Sequence, residues 1–478
     1  MPTAFPSAAR RVAASLSLVF CSCLAAAQNA LPHAVEAALA RAKVPRDAVT
    51  VLVADVDGQR PPRLAWRSQE PVNPASVMKL ITTYAGLDLL GPAYTWSTPV
   101  YVEGAVRGGT LEGNLYIEGR GDPKLVVERL WLLLRRVQAL GIQRINGDIV
   151  LDRSAFEPGE HDPGAFDGRP LKAYNAGADA LLVNYKSAVM TFTPDTATQT
   201  ARVSLEPPLA GVALPSAVPL DAANGSSCGD WRTQLRAQFL PTRFQFDGAY
   251  PAACGEGSWT LAYPEPERFA ERAIAGLWAQ MGGQLRGTAR EGRVPAGLAP
   301  AFEMQSPPLA EVVRDINKYS NNVMADQLFL TLGLTQKRRG TFPAARTALR
   351  QWWNERIGTG EGQPVIDNGS GLSLNGRVSA AGLARMLQIA WRSPVMPELV
   401  SSLPIVGVDG TLRRRQLRSG AAAHLKSGTM PEYGVSGLAG YVDGASGRRY
   451  VLVAIANHEN AAAARAAFDA LVDWTAQD

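Results

Sequence analysis

The first residues whose types and spacing can do chemistry are Ser76 and Lys79. Pro74 is tolerated at a helix start, so a helix that begins near Ser76 and continues through the apolar run 80–90 is predicted. Residues three apart share a helix face, so the hydroxyl and the amine can meet. A serine hydroxyl needs an adjacent base, and a lysine serves when burial and nearby positive charge keep it neutral. Alone, the pair is a weak signal for acyl transfer through a serine ester.

Two later polar groups can supply partners for this pair. Ser320 and Asn322 fall at the junction of two predicted helices, where a hydroxyl and an amide can face a cleft. Lys426 and Ser427 end a predicted strand, and as neighbours they need a twisted edge to face the same cleft. Gly428, which follows them, lets a substrate backbone approach closely. Each pattern alone is typical of a cap or a strand end, but the three together predict one polar site.

The elements that must position these groups are a sheet and the helices that cover it. The first half opens with a helix, two strands and a helix, at 32–43, 49–56, 64–67 and 76–90. The chain closes with three strands and a helix, at 423–428, 435–442, 449–456 and 461–475. Early and late strands can therefore join one sheet. Helical periodicity predicts further helices at 266–281, 309–318, 322–333, 342–356 and 379–392.

The stretch between the two halves differs in character. Short strand-like pieces, 231–235 among them, alternate with proline-rich joints, and one helix is predicted at 125–140. We interpret the stretch as a β-rich insertion of two lobes. The predicted boundaries are 28–96 and 275–478 for the catalytic domain, 97–110 and 178–274 for insertion domain II, and 111–177 for insertion domain III.

Residues 1–27 are predicted to be a secretory signal peptide. Arg10 and Arg11 precede the apolar run 12–24, and the alanines at 25–27 supply a cleavage site. The run is shorter than the ~20 residues that a membrane-spanning helix needs, so no anchor is expected after cleavage. The mature protein is therefore expected in the periplasm.

Charge and cysteine content argue against other classes of function, namely nucleic-acid binding and metal binding. A formal net charge of +5 over 478 residues is mild, and the basic run 413–415 has no interleaved aromatic residues, so nucleic acid is not expected as a partner. In an exported chain Cys228 and Cys254 are expected to form a disulfide, with two free buried thiols as the alternative. No histidine or acidic cluster lies around them at ligand spacing, so no metal is expected.

The motif set resembles the active-site-serine penicillin-binding proteins and serine β-lactamases. The chain also has a long insertion between Lys79 and Ser320. In this feature it resembles the class C low-molecular-mass penicillin-binding proteins, the D-alanyl-D-alanine carboxypeptidase/endopeptidase family. Further resemblance lies at 119–125, 147–152, 367–373 and 407–412. It implies a mixed α+β (α/β) fold, in which a β-lactamase/transpeptidase-like domain with an antiparallel sheet covered by helices carries the insertion between its first two motifs.

The resemblance implies a role for each catalytic residue. Ser76 attacks the carbonyl of the penultimate D-alanine, and Lys79 takes the serine proton. Ser320 and Lys426 relay the proton to the leaving amine, while Asn322 orients the acyl-side amide. Water then hydrolyses the ester, so the resemblance implies neither a metal nor a cofactor.

Substrate-binding residues follow from the same resemblance. Ser427 and Lys426 hold the terminal carboxylate, beside Gly428, and the backbone N–H groups of Ser76 and Thr429 form the oxyanion hole. The implied partners are peptidoglycan stem peptides that end in D-Ala-D-Ala, cross-linked muropeptides, and β-lactam antibiotics as covalent inhibitors.

Two positions depart from the family pattern. Ser427 stands where the third motif usually has threonine, and it keeps the hydroxyl. Leu374 stands where the family often has an arginine that binds the free end of the stem-peptide side chain, and Arg377 is a candidate substitute. Asp167 lies near where relatives place an acidic residue that faces the same side chain.

Three other functions are open. A Ser-His-Asp hydrolase needs a Gly-x-Ser-x-Gly elbow, but Ala75 and Val77 flank the serine. His424 shares a strand face with Lys426, although packing explains it more simply. A serine β-lactamase shares the acylation residues and differs by fast deacylation. A catalytically idle peptidoglycan-binding or penicillin-sensing module is the third, and the intact motifs argue against it.

Overall fold

The protein is described from a computed structural model. The structure describes residues 29–221, 228–360, 362–420 and 422–478. The predicted signal peptide lies outside these residues. Within them, none of the helices combines the length and the apolar character needed to cross a bilayer.

Five antiparallel strands from both ends of the chain form the sheet of the catalytic region. They are β1 (Val49–Asp55), β2 (Leu64–Trp66), β17 (Ala423–Met430), β18 (Val435–Asp443) and β19 (Arg449–Asn457). Their spatial order is β17-β18-β19-β1-β2. Strand β1 pairs directly with β19, with Leu52 opposite Val453. The prediction that early and late strands share one sheet is confirmed.

Helices cover both faces of this sheet. The first face carries α2 (Lys79–Leu90), α6 (Leu309–Tyr319), α7 (Asn322–Lys337), α8 (Phe342–Arg356), α9 (Ala380–Trp391) and α10 (Met396–Ser402). The second face carries α1 (His33–Arg41) and α11 (Arg465–Ala476). Alternate residues of a strand point to opposite faces. In β19, Val453 and Ile455 pack in the first core, and Leu452 and Ala454 pack in the second.

A seven-stranded mixed sheet lies in the insertion and crosses the predicted boundaries. It contains β3 (Ser97–Arg107), β4 (Thr110–Glu118), β5 (Arg144–Ile145), β6 (Ile149–Asp152), β14 (Gln284–Leu285), β15 (Ala289–Glu291) and β16 (Phe302–Gln305). Strands β3 and β4 form one hairpin, so the predicted boundary at 110 divides paired strands. The predicted boundary at 274 is also corrected, because β16 from the second half pairs with β3. Helices α3 (Val127–Ala139) and α5 (Phe269–Gln280) accompany this sheet.

A second insertion sheet has five strands. It contains β7 (Ser187–Asp195), β8 (Thr200–Glu206), β9 (Ala217–Asp221), β12 (Tyr250–Pro251) and β13 (Gly257–Ala262), next to the hairpin β10 (Ala237–Leu240) and β11 (Arg243–Phe246). The strand predicted at 231–235 is wrong, because Trp231–Gln234 forms one helical turn, α4. The Trp231 indole packs edge-on against Phe192 and Tyr250. Packing in this ring cluster overrides the apolar pattern that indicated a strand.

The disulfide between Cys228 and Cys254 is present, with an S–S distance of 2.06 Å, as predicted. It joins the segment before α4 to the short turn that precedes β13.

A long irregular segment, residues 153–186, links β6 to β7 of the insertion and contacts α7 of the catalytic region. Asp179 and Gln327 exchange hydrogen bonds between this segment and α7: the Asp179 N–H donates to Gln327 Oε1 at 2.9 Å, and Gln327 Nε2 donates to the Asp179 carbonyl at 2.8 Å. Lys186 pairs with the Asp179 carboxylate at 3.0 Å. These buried contacts hold the segment against the helix that follows Ser320.

Candidate active site

Ser76 lies in a single 3-10 turn, Ala75–Met78, that leads directly into α2. Ala75 has a positive φ of 48°, and its N–H donates to Asn73 Oδ1 at 2.9 Å. Asn457, at the end of β19, holds Asn73 through two reciprocal hydrogen bonds of 2.9 and 3.0 Å. The serine turn is therefore anchored to the sheet as well as to its own helix.

Lys79 is fully buried, and its side-chain nitrogen has three oxygen neighbours. Nζ lies 2.8 Å from Ser76 Oγ, 2.6 Å from Asn322 Oδ1 and 2.6 Å from the Ser370 carbonyl oxygen. Burial lowers the pKa of Lys79 to about 7, and the carboxylate of Asp326 opposes that fall. A sizeable fraction of the amine is then neutral near pH 7, which suits a base for the serine proton.

Ser320 and Lys426 form a second hydroxyl–amine pair. Ser320 ends α6 in the left-handed conformation, with φ 57° and ψ 37°, and Asn321 then caps α7 by accepting from the Met324 N–H at 3.1 Å. The break between the two helices turns the Ser320 hydroxyl towards β17. Lys426 Nζ donates to Ser320 Oγ at 2.9 Å. Burial, followed by the charge of Lys79, holds the pKa of Lys426 well below its usual value.

Strand β17 passes very close to the serine turn at Gly428. A Cβ at this position would lie 2.6 Å from the Pro74 carbonyl oxygen and 2.9 Å from the Ser76 nitrogen. Only glycine therefore allows this close approach of the strand to the serine turn, and the substrate contact expected at Gly428 stays a prediction. Next to it, the Ser427 hydroxyl lies 2.8 Å from the Thr411 hydroxyl.

The hydroxyls of Ser76 and Ser320 open into a cavity of about 610 Å³. Its lining residues come from both halves of the catalytic region and from the insertion: Ser76, Phe166, Asp167, Tyr174, Ser320, Asn322, Leu372, Thr411, Leu412, Arg415, Ser427, Thr429, Met430, Pro431, Glu432, Ser436, Ala462 and Arg465. Three motifs predicted from separate parts of the sequence thus meet in one place.

Asp167 also reaches this cavity, on the irregular segment of the insertion. Its carboxylate accepts from Tyr174 Oη at 2.6 Å, Asn175 Nδ2 at 2.8 Å and the Arg169 N–H at 3.0 Å. Desolvation favours the neutral acid, but these hydrogen bonds outweigh it and hold the pKa of Asp167 below its usual range. Asp167 is therefore an ionised group at the cavity wall.

Arg377 does not line the cavity. Its Nη1 donates to the carbonyl oxygens of Leu374 and Gly376, at 2.6 and 2.8 Å. Leu374 borders a neighbouring cavity of about 560 Å³, which reaches Asn322 and Tyr174 from the other side. The position of this side chain therefore does not support Arg377 as a substitute for the arginine that the family often has where Leu374 stands.

Asp326, one turn after Asn322 on α7, was not predicted from the sequence. Its Oδ1 accepts the N–H groups of Gly369 and Ser370, at 2.9 and 3.0 Å, and so orients the Ser370 carbonyl that meets Lys79. Desolvation raises the pKa of Asp326 to about 6, and the charge of Lys79 opposes the rise. An acidic residue four positions after Asn322 shares its helix face, and this spacing is the signal that could have found it.

The described contacts of the serine involve a lysine rather than a histidine. His424 Nδ1 is buried without a hydrogen-bond partner among the described residues. His161 Nε2 lies 2.7 Å from the Asn175 carbonyl oxygen, and His458 Nδ1 accepts from the Asn460 N–H at 3.1 Å. The geometry therefore favours serine–lysine chemistry over a Ser-His-Asp triad.

Comparison with known proteins agrees with this chemistry. The chain is 29% identical over 400 residues to a D-alanyl-D-alanine carboxypeptidase of Actinomadura sp., covering 79% of this chain and 72% of that protein. It is 24% identical over 395 residues to the D-alanyl-D-alanine carboxypeptidase DacB of Haemophilus influenzae, covering 80% of each.

A similar fold is found in penicillin-binding protein 4 of Haemophilus influenzae. The TM-score is 0.68 at 22% identity, over 88% of this chain and 93% of that one. A predatory endopeptidase of Bdellovibrio bacteriovorus gives a TM-score of 0.52 at 14% identity, over 90% and 93% of the two chains. The predicted fold class is confirmed.

The sequence model of one peptidase family matches nearly the whole described chain, from residue 31 to residue 478. With the serine–lysine site in place, the chain belongs to the D-Ala-D-Ala carboxypeptidase 3 (S13) family, a family of penicillin-binding serine peptidases.

Proposed function

We propose that the protein hydrolyses D-alanyl-D-alanine ends and cross-links of peptidoglycan stem peptides through an acyl-enzyme on Ser76. One observation carries the proposal: the hydroxyls of Ser76 and Ser320 each contact a buried lysine, at 2.8 and 2.9 Å, in one cavity. Membership of the D-Ala-D-Ala carboxypeptidase family supports the substrate class.

Lys79 is the base in this mechanism. A neutral amine has two N–H groups, and Asn322 Oδ1 and the Ser370 carbonyl can accept both. The nitrogen lone pair is then free to accept the Ser76 hydroxyl proton as the oxygen attacks the D-alanine carbonyl. Lys426, buried nearby, disfavours a second positive charge on Lys79.

The leaving amine needs a proton when its bond to the acyl carbon breaks. Ser320 and Lys426 supply a path, because Lys426 Nζ donates to Ser320 Oγ and the hydroxyl faces the cavity. The tetrahedral oxyanion is assigned to the backbone N–H groups of Ser76 and Thr429. Water then attacks the ester from the same cavity and releases the shortened peptide.

Substrate orientation is assigned to the groups on either side of Ser76. Asn322 Nδ2 donates to the Tyr174 carbonyl at 2.9 Å and can exchange that acceptor for the substrate amide. Ser427 and Lys426 hold the terminal carboxylate, with Gly428 and Thr429 following the substrate backbone. Asp167 faces an amine on the stem-peptide side chain, and Arg377 can contribute only after leaving its present carbonyl partners.

A structure of the Haemophilus influenzae relative contains a bound β-lactam. We extend this binding to the present chain: a labelled penicillin is expected to acylate the mature protein, and Ser76→Ala is expected to abolish labelling. Normal labelling of the alanine variant would overturn the serine assignment.

Digestion of purified wall fragments tests the reaction itself. Release of terminal D-alanine establishes the carboxypeptidase, and loss of cross-linked dimers establishes the endopeptidase. Rapid turnover of penicillin instead would favour a β-lactamase, and labelling without any product would favour a penicillin-sensing module. Detection of the processed chain, lacking residues 1–27, in a periplasmic extract tests the proposed export.

A further inference from the structure

The charged groups of the active-site cavity are divided by sign. The acidic groups, Asp167 and Glu432, belong to the irregular segment of the insertion and to the turn after β17. They lie together, because Arg169 pairs with Glu432 at 3.1 Å and its N–H donates to Asp167. The cationic groups, Arg415 and Arg465, belong instead to the segment before β17 and to the start of α11.

Four hydroxyl groups line the same cavity. Thr411 lies 2.8 Å from Ser427, and Ser436 is the register partner of Thr429 on the neighbouring strand. All four line the same cavity as the two arginines. Neutral hydroxyl donors beside guanidinium groups are the usual surroundings of a bound carboxylate.

The two arginines are only partly neutralised. Arg415 is buried, and its Nη1 donates to Asp469 Oδ1 at 2.8 Å. Arg465 is exposed, and within the described part of the chain its guanidinium forms neither an ion pair nor a hydrogen bond. Asp469 is the acidic group that faces them from α11, and its neighbour Asp473 accepts from the N–H and hydroxyl of Ser419. The exposed guanidinium of Arg465 therefore borders the cavity without a hydrogen bond or ion pair of its own among the described residues.

We propose that Arg415 and Arg465 form a subsite for a second carboxylate, carried by the leaving strand of a cross-linked substrate. The inference rests on the proposed function, in which Ser427 and Lys426 take the carboxylate next to the scissile bond. A free D-alanine leaving group has only that one carboxylate. A leaving stem peptide carries at least one more, at its own carboxyl terminus, and can reach the exposed Arg465.

The subsite should therefore favour cross-linked dimers over uncross-linked pentapeptides. The test uses the mature wild type, Arg465→Gln, and the control Arg107→Gln, which removes an equally exposed arginine from the tip of β3. Three substrates are compared: a pentapeptide muropeptide, a cross-linked dimer, and the same dimer with the carboxylates of its leaving strand amidated.

Arg465→Gln is expected to raise KM for the dimer about five-fold at low salt, with kcat unchanged, because one charge contact at a partly exposed site is lost. For the pentapeptide and the amidated dimer, KM should change less than two-fold, and Arg107→Gln should behave as wild type throughout. Added salt should reduce the difference.

Equal effects of Arg465→Gln on all three substrates, or none on the dimer, would overturn the subsite while leaving the peptidase intact. A wild type that releases D-alanine but leaves the dimer uncut would overturn the subsite and the cross-link activity, while the carboxypeptidase activity would stand. A wild type that cleaves neither substrate would overturn the proposed function with it.

Discussion

The catalytic groups and the insertion segment beside them are held in different ways. Lys79 and Lys426 are completely buried, and their partners come from distant parts of the chain. Asp167 and Tyr174 are partly or well exposed, and they bond mainly within their own segment. The predicted catalytic groups thus depend on long-range burial, whereas the predicted recognition groups depend on exposed contacts that are easier to change.

Removal of the base should give the largest effect. Lys79→Met keeps the buried length but lacks the amine, so acylation by penicillin should slow about 10³-fold, the usual range for loss of a general base. Stopped-flow or time-resolved labelling measures the rate, and circular dichroism checks the fold. A near-normal rate in a folded variant would show that another group takes the serine proton.

The disulfide tests whether the insertion and the site are independent. The variant Cys228→Ser/Cys254→Ser should lose about 3 kcal/mol of stability, because the cross-link no longer restricts the unfolded chain. Calorimetry should show a lower unfolding temperature. The penicillin acylation rate at 25 °C should stay as in the wild type, and a large fall would mean that the second insertion sheet positions the site.

The charge of Asp326 should raise the pH below which activity falls, because it raises the pKa of Lys79. Acylation needs neutral Lys79, so its rate should fall as pH drops through about 7. The charges facing Lys79 are Lys426 on β17 and Asp326 on α7. Asp326→Asn keeps an oxygen for the Gly369 and Ser370 N–H groups but removes the negative charge. The pKa of Lys79 should then fall further, moving the acidic limb about 1 pH unit lower.

The pH–rate profile of penicillin acylation measures this shift. Asp88→Asn is the matched control, because Asp88 lies on the same helix as Lys79 but bonds to Trp352 and Arg356. An unchanged profile in Asp326→Asn would show that its charge does not act on the base.

The smallest effect is expected at the exposed contact across the cavity. Arg169→Gln removes the ion pair with Glu432, both partly exposed, and should raise KM for a stem peptide about two-fold without changing kcat. Arg268→Gln, which breaks a partly exposed pair with Glu271 in the insertion, is the control. A fall in kcat in Arg169→Gln would contradict the division between chemistry and recognition.

Local patterns predicted most of the fold. Residues 309–356 form the helices that periodicity indicated, because each helix buries one apolar stripe. Residues 423–457 form the indicated strands, which are apolar on both faces of the sheet. Strand pairing inside the insertion was harder to predict from the sequence. Strands β3 and β4 join one hairpin and β16 returns to it from far along the chain, a pairing that local pattern does not encode.

By itself, the sequence predicted which groups do the chemistry and which family the chain belongs to. The spacing of Ser76 and Lys79 places both on one helical turn by local geometry alone. The order of the three motifs is likewise a property of the sequence. Only the tertiary structure decided how those groups work. The neutral fraction of Lys79 depends on burial, on Asp326 and on the Ser370 carbonyl, and packing brings these together from distant parts of the chain.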